Sequence, residues 1–408
     1  MKNLIHCLFA ILFFVFVACT SEKADPEFYI AGNSFELDSS CEQFEIDVTH
    51  NVDFTVTTDV DWISEMEGSN SGKVSFAVER NATNDFRKGK ITFVCEEAGV
   101  KAVVDVKQNG RYEIVYTTKH GERLDYDYYG TDYSRFFDAR LVSHTYKSGK
   151  GVFEFDSEVT RIEEIAFFNH SYITSIDLPN TISYIGNSAF YGTSIEAIDI
   201  HNAEIGDYVF AYCRQLKKMV IPAIMTSVPV GTFEECSSLQ NVSLPYGIKE
   251  IGGLAFWGFT ELKSIQLPQS VRKIGNAAFK FCFSLEEIEM PTYLETLGAS
   301  AFYSTDIKNF VVPKGIKTIE TETFYGCSKL QSLELPSTLT LIKDNFFRCW
   351  ELVTIKCSAD VPPVFTEGFA DYGVDLSKLK IYVPSASVQA YRTSEYWAQY
   401  ADNIFPIE

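Results

Sequence analysis

The side chains able to do chemistry are present in this chain but are not arranged to act together. His50, His120, His144, His170 and His201 are scattered. None falls in the His-Glu-x-x-His spacing that sets two imidazoles on one helix face around a metal. There is no Gly-x-Ser-x-Gly turn to present an activated serine and no glycine loop to cradle a phosphate. Carboxylates number 55 against 35 lysines and arginines. At that abundance some pair falls at glycosidase separation by chance, so proximity alone carries no signal. The sequence assigns no catalytic residue, no metal and no cofactor, and the expectation is a protein that is not an enzyme.

Two groupings need a closer reading. Asp125-Tyr126-Asp127-Tyr128-Tyr129-Gly130-Thr131-Asp132-Tyr133 sets carboxylates among tyrosines. Oxygen ligands of this kind suit Ca²⁺, and tyrosines suit a recognition loop. A segment covering the apolar end of a layered core is the favoured reading. Cys213, Cys236, Cys282 and Cys327 each stand three residues after a phenylalanine of a recurring phrase, where His170, Thr193, Phe259 and Thr305 stand in other copies. A slot accepting such different side chains reads as packing, with cysteine a small buried hydrophobe. No Cys-x-x-Cys or zinc-type Cys/His spacing occurs. A Cys213–Cys236 or Cys41–Cys95 bridge is conceivable but not favoured.

The phrase itself is an aliphatic residue, four others, then phenylalanine: Ile162/Phe167, Ile185/Phe190, Ile205/Phe210, Val228/Phe233, Ile251/Phe256, Ile274/Phe279, Leu297/Phe302, Ile319/Phe324 and Ile342/Phe347, with a weaker Val364/Phe369. Between copies lies an aliphatic-proline step, as in Leu178-Pro179, Leu267-Pro268 and Leu335-Pro336. A fixed period of this length predicts a solenoid in which each unit buries its apolar face against its neighbours. In the unit Leu262–Leu285, Ser264-Ile265-Gln266-Leu267 alternates as a strand and Pro268 ends it. Val271 and Ile274 lie on a second extended piece. Gly275-Asn276 allows a turn, and Ala277-Ala278-Phe279 is expected to start a short helical or 3₁₀ segment. The copy from Phe190 to Phe210 is shortened and carries Ile200-His201 at the aliphatic-proline step, so an irregularity is expected there.

The leucine pattern, the Leu-Pro step and the phrases Ile185-Gly186-Asn187-Ser188-Ala189-Phe190 and Ile274-Gly275-Asn276-Ala277-Ala278-Phe279 resemble the BspA-type leucine-rich repeats. The resemblance spans Tyr112 to Glu408, and Tyr116 to Phe153 looks like the lead-in before such arrays. It implies a binding or adhesion module.

Between Phe28 and Gly110 the texture differs. Short alternating runs such as Phe44-Glu45-Ile46-Asp47-Val48 and Val74-Ser75-Phe76-Ala77-Val78, separated by turn-rich stretches, read as a small β-sandwich. Trp62-Ile63, Gly89-Lys90-Ile91 and the closing Val106-Lys107-Gln108-Asn109-Gly110 resemble the BACON domain, which implies sugar binding or a spacer role. Trp62 is a sugar-stacking platform in one reading and a structural residue in the favoured one.

At the N-terminus, Lys2, the apolar run Leu4–Val17 and Ala18-Cys19 have the layout of a secretion signal. Phe16-Val17-Ala18-Cys19 resembles a bacterial lipoprotein box, which implies lipidation at Cys19. Glu22 and Asp25 loosely resemble a surface-export signal, so the expected location is the outer membrane, facing outward. The expected domains are a signal peptide (1–18), a tether (19–27), the BACON-like sandwich (28–110), an N-terminal cap (111–161), the repeats (162–370) and a C-terminal cap (371–408). The fold class is α+β or mostly β: an N-terminal β-sandwich followed by a leucine-rich repeat solenoid of about ten layers.

A formal charge of −20 excludes a basic footprint for duplex nucleic acid. Binding is expected on the outward strand positions, a stripe with Asp177, Asp199, Gln266, Glu289 and Glu334, and on an aromatic ladder after the repeat phenylalanines, with Tyr191, Trp257, Tyr303 and Tyr325 beside Phe168. Partial burial is the favoured state of that ladder. The partners expected are host or bacterial proteins, or glycans. Contact with the membrane is through the lipid anchor only, and none with nucleic acid is expected. Leu379–Pro384 reads as a last strand and Ser387–Tyr400 as an amphipathic helix whose aromatics seal the final layer.

Overall fold

The computed structural model describes residues 27–407 apart from 38, 40, 67–71, 82, 84, 111, 125–129, 131, 345, 347, 367 and 370–372. Cys19, the signal segment and Asp125–Tyr129 therefore lie outside the described residues. The chain forms one compact unit ending at Glu113 and a second beginning at Ile114.

The first unit is a sandwich of two four-stranded sheets. Its strands are β1 (Phe28–Ile30), β2 (Ser34–Leu37), β3 (Gln43–His50), β4 (Thr55–Thr58), β5 (Ile63–Glu65), β6 (Lys73–Val78), β7 (Arg87–Cys95) and β8 (Val100–Gln108). The sheet orders are β1-β3-β6-β5 and β2-β8-β7-β4. Strict alternation sends Phe44, Ile46 and Val48 inward from β3, Val74, Phe76 and Val78 from β6, and Ile91 and Phe93 from β7. The closing motif has a physical role. Gln108 is fully buried, its Oε1 accepts from Arg87 Nε at 2.8 Å, and its amide reaches the carbonyls of Ser39 and Cys41.

Trp62 is 6% exposed, with the Arg87 guanidinium 4.3 Å from its ring centre. A Cβ on Gly89 would sit 3.2 Å from the same ring. Its faces are thus taken by the protein, and the platform reading gives way to the structural one. Cys41 and Cys95 are both buried and both free.

The second unit opens with three antiparallel strands, β9 (Glu113–Thr118), β10 (Leu141–Lys147) and β11 (Lys150–Phe155), in the order β10-β11-β9, and β9 pairs with Ile173–Asp177 of the first repeat. Tyr133 is buried, donates or accepts at His170 Nε2 (2.6 Å), and stacks on Phe167. Of the tyrosine-rich stretch, Tyr133 covers the first layer. Asp132 caps the 3₁₀ turn Tyr133–Phe136.

Each repeat contributes to three sides. One side is a parallel ladder of short strands: Lys218–Val220 with Asn241–Ser243, Ser264–Gln266 with Glu287–Glu289, and the run Asn309–Val311, Ser332–Leu335, Thr354–Cys357, Lys380–Val383, Ile404–Pro406. The second ladder is built from the aliphatic residues of the phrase, as in Glu250–Ile251, Lys273–Ile274 and Thr296–Leu297. Within the repeat Leu262–Leu285, the side chains of Ile265, Leu267, Val271, Ile274, Phe279 and Leu285 all point into the core.

The third side departs from expectation. Ala277-Ala278-Phe279 starts no helix. Residues near the phenylalanine take positive φ, as at Ala277 (55°) and Phe281 (63°), and the backbone bonds outward to the next layer. Ala277 N–H donates to Ala299 O at 2.8 Å, Phe279 N–H to Ala301 O at 2.9 Å, and Phe281 N–H to Tyr303 O at 2.9 Å. The left-handed conformation costs a non-glycine residue about 1–2 kcal/mol. Here it turns every second N–H along the axis, where bonds to the next layer offset the strain. The corner glycine also has a different reason from the one expected. A Cβ on Gly275 would lie 2.4 Å from Gly253 N, so glycine there permits close approach of layers rather than a turn. Asn276 Oδ1 accepts the Ala299 N–H of the following layer at 3.0 Å.

Inside, the repeat phenylalanines form one near-parallel stack. Phe190 and Phe210 lie 5.6 Å apart at 3°, and Phe279 and Phe302 lie 5.5 Å apart at 3°. The ninth member is a correction. Phe347 lies outside the described residues, and Phe346, 6.2 Å from Phe324 at 12°, takes the slot. The shortened repeat is irregular as expected. Among the described residues no strand forms between Gly186 and Ala203, and His201 Nε2 reaches Leu178 O at 3.1 Å.

At the C-terminus the expected continuous helix is split. Val388–Thr393 is helical, Ser394 is extended (ψ 149°), and Ala398–Asn403 is 3₁₀. The break lets three ring handles cap the last layers: Tyr391 hydroxyl donates to Ala359 O, Trp397 Nε1 to Pro363 O, and Phe369 N–H to the Tyr400 hydroxyl.

Candidate functional site

The outward row of the first ladder is exposed as far as Glu334 and half-buried at Lys356 and Tyr382. Asp177, Asp199, Gln266, Glu289 and Glu334 are all exposed, and so are Val220 (67%) and Val311 (59%). Register brings Gln266 beside Glu289, and Val311 beside Glu334 and then Lys356. Glu334 and Lys356 approach to 3.9 Å. The structure does not bring the whole stripe together. Asp177 lies on the strand that pairs with the cap, and Asp199 lies in the strandless repeat, where it accepts the His201 N–H at 2.8 Å.

The row continues past the point where the repeat phrase fades. Lys356 registers with Tyr382, and Tyr382 with Phe405, whose ring centre is 6.1 Å away. Val311, Glu334, Lys356, Tyr382 and Phe405 thus form a single line across a five-stranded sheet. The alternation Lys380-Ile381-Tyr382-Val383 carried the signal for Tyr382. The strand containing Phe405 had none of the phrase around it.

The aromatic ladder is half-buried, as favoured. Phe168 stacks on Tyr191 at 4.7 Å, and Tyr303 on Tyr325 at 4.5 Å and 11°. Trp257 meets Phe281 edge-on, Phe281 meets Tyr303, and the Lys280 ammonium sits 3.9 Å from the Tyr303 ring centre. Stacked neighbours cover ring faces at Phe168, Tyr191, Tyr303 and Tyr325, and edge-on contacts join Trp257, Phe281 and Tyr303. Tyr212 and Phe281, missed in the sequence because they sit one position further on, complete the ladder. Burial, reinforced by Glu234, pushes the Tyr212 phenol up to about 12, and its hydroxyl donates to Glu234 at 3.2 Å. Burial likewise raises Tyr191 and Tyr303.

Charges on the rim are largely matched between layers. Lys217 pairs with Glu196 at 2.6 Å, Lys308 with Glu286 at 2.5 Å, and Arg214 with Glu235 at 3.0 Å. The lysine hydrogen bonds hold Glu196 and Glu286 below the usual carboxylate range.

The cysteine slot is a buried packing position, held by Phe259 in one layer, and where cysteine stands it also makes a hydrogen bond. Cys236 Sγ donates to Phe210 O at 3.0 Å, Cys282 to Phe256 O at 3.2 Å, and Cys327 to Phe302 O at 3.0 Å. Thr193 and Thr305 hydroxyls reach the same phenylalanine carbonyls of their own layers. Cysteine and threonine share a donor that serves a buried carbonyl. Cys213 and Cys236 are free thiols, and burial drives Cys213 up to about 12 and Cys236 well above its ordinary value. Among the described residues no group of three or more His, Cys, Asp or Glu could hold a metal, and no helix is long and apolar enough to cross a membrane.

The BspA type leucine rich repeat region matches in six copies over residues 146–259, 203–330 and 295–390, and the BACON domain matches over residues 52–109. No curated protein matches. Among solved structures, a leucine-rich repeat protein from Bacteroides ovatus ATCC 8483 is 26% identical, with 64% of this chain and 72% of that chain covered and a TM-score of 0.45. A leucine rich cell surface protein from Faecalibacterium prausnitzii A2-165 is 22% identical, with 66% and 86% covered and a TM-score of 0.35. The pneumococcal vaccine antigen PcpA is 18% identical, with 62% and 78% covered and a TM-score of 0.37.

Proposed function

The chain belongs to the BspA-type leucine-rich repeat proteins, and from that premise we propose that it is a non-catalytic, surface-exposed outer membrane lipoprotein that binds a macromolecular partner along its exposed sheet face. The observation that carries the reading is the unbroken line Val311, Glu334, Lys356, Tyr382 and Phe405 on five parallel strands. An apolar residue, an ion pair and two aromatics at strand spacing form a surface for multi-point contact. Tyrosine beside a charge pair is the composition of an interface centre. A host or bacterial protein is the partner class favoured. Capture of a glycan by the BACON-like domain is the alternative, and the burial of Trp62 removes the ring it relied on.

Location rests on the sequence around Cys19. Three acyl chains there make a durable anchor, since each buried CH₂ adds about 0.8 kcal/mol.

The experiment is capture of envelope and host-matrix proteins, alongside a glycan array, by the full chain and by the variant Glu334→Ala/Tyr382→Ala/Phe405→Ala. A protein partner lost in the variant supports the reading. A partner retained in full by the variant, or binding to sugars only, overturns it. For location, Cys19→Ala should release the protein from the membrane fraction of its native host.

A further inference from the structure

The second ladder is interrupted between Glu204–Ile205 and Ser227–Val228, which do not pair. In the layers on either side the residue after the ladder aliphatic donates its N–H one layer back: Gly206 to Ile185 O at 2.9 Å, Gly252 to Val228 O at 2.8 Å, Gly275 to Ile251 O at 2.8 Å. The ladder breaks again between Thr296–Leu297 and Thr318–Ile319, where no proline follows Ile319. Pro229 occupies the position after Val228 and has no N–H to give. Among the described residues no backbone donor reaches Ile205 O. Pro229 also replaces the glycine that lets layers close, since a Cβ on Gly252 would lie 2.7 Å from its neighbour's backbone.

The result is a cleft of about 390 Å³ lined by Asn187, Ile205, Asp207, Ser227, Pro229 and Glu250. Polar groups line it on several sides. Asn187 Oδ1 is used by the Asp207 N–H at 2.8 Å, which leaves its NH₂ for a ligand. One Asp207 oxygen accepts the Val230 N–H at 2.9 Å, and the other is open. Glu250 is matched by Lys273 at 2.6 Å, so its charge is already offset. The Ser227 hydroxyl has no partner among the described residues.

We propose that this cleft binds a neutral saccharide unit. Ile205 O, Asp207 and Glu250 accept from sugar hydroxyls, Asn187 and Ser227 donate to sugar oxygens, and Pro229 meets an apolar ring face. Pockets of this kind combine an apolar wall with a few fixed polar groups. The offset charge of Glu250 and the occupied oxygen of Asp207 favour a polyol over a cation. The proposal does not rest on the sheet-face reading, and its variants lie on a different side of the solenoid.

The test is saturation-transfer NMR on the full chain with methyl β-D-glucopyranoside, methyl α-D-mannopyranoside and N-acetylglucosamine as probes, and arginine amide as the cationic comparison. At least one sugar should receive saturation. The signal should be lost, with affinity weaker by about tenfold or more, in Ser227→Trp, which fills the cleft. It should also be lost in Pro229→Gly, which restores the ladder donor. Glu261→Ala, at an exposed position outside the cleft lining, should leave it unchanged. No transfer to any of the three sugars, transfer only to arginine amide, or unchanged transfer in a folded Ser227→Trp protein overturns the proposal. Where Ser227→Trp does not fold, Pro229→Gly decides by the same criterion.

Discussion

Asp344, fully buried, accepts the backbone N–H of Phe324 through Oδ2 at 2.6 Å, and its other oxygen accepts the N–H of Phe346 at 2.8 Å. One carboxylate thus joins two consecutive members of the aromatic stack. The second bond holds Phe346 in the ninth slot. Asp344→Ala leaves two buried N–H groups without this acceptor. At about 1–3 kcal/mol for each unsatisfied group, the variant should unfold at clearly lower urea. An unchanged midpoint would show the carboxylate to be incidental.

The stack itself is the main apolar element of the solenoid. Phe256 is fully buried between Phe233 (6.0 Å) and Phe279 (5.2 Å). Phe256→Ala should cost about 3–5 kcal/mol. Phe283→Ala, at a position 50% exposed, should cost well under half of that in the same urea titration.

The buried thiols predict an alkaline weakness. Burial raises the thiols of Cys213 and Cys327 to about 12 and also lifts Cys236, Cys282, Cys349 and Cys357. The folded state therefore holds these protons more tightly than the unfolded chain, whose thiols titrate near about 8.5. The contribution is fully present below that pH and is lost as pH rises toward 12. Each such group steepens the fall by about 1.4 kcal/mol per pH unit. Cys282→Ser should make the decline of stability between pH 9 and about 11 visibly shallower. In native protein at pH 8 these thiols should resist a thiol reagent and react only on unfolding.

Pro229→Gly has two opposed effects. A restored ladder bond contributes about 0.5–1.5 kcal/mol, and the freer unfolded chain costs about 0.4–1 kcal/mol. Stability should therefore change by less than about 1 kcal/mol. The amide introduced at position 229 should nonetheless exchange slowly with solvent, as its counterparts in the regular layers do. Fast exchange there would mean that the layers stay apart.

Much of this was legible in the residues. The Ile-x-x-x-x-Phe phrase encodes the core directly, because a layer exposing Phe190 or Phe279 would forfeit its largest buried side chain. The alternation in Ser264-Ile265-Gln266-Leu267 fixed which positions face out. What stayed hidden has physical reasons. The positive-φ positions carry Ile165, Ser188, Leu254 and Ala277, which share no chemistry, because the conformation is imposed by backbone bonds between layers rather than by side chains. Adjacent Phe346 and Phe347 made the ninth register ambiguous until Asp344 set it. Phe405 was out of reach, because it enters the sheet face through a strand that follows the cap. The slot of Cys213 packs as its mixed occupants implied, but the donor that cysteine and threonine share stayed hidden because Phe259, in the same slot, has none.

The interlayer bonds of Ala277, Phe279 and Phe281 run along the axis of the solenoid, as do those of both strand ladders. A load drawn along that axis meets these bonds in series, coil after coil. Each coil is held by its own small set of bonds, so a fastened molecule tugged from its far end would let coils go singly. It would lengthen in steps and dissipate the pull while the lower coils stay wound.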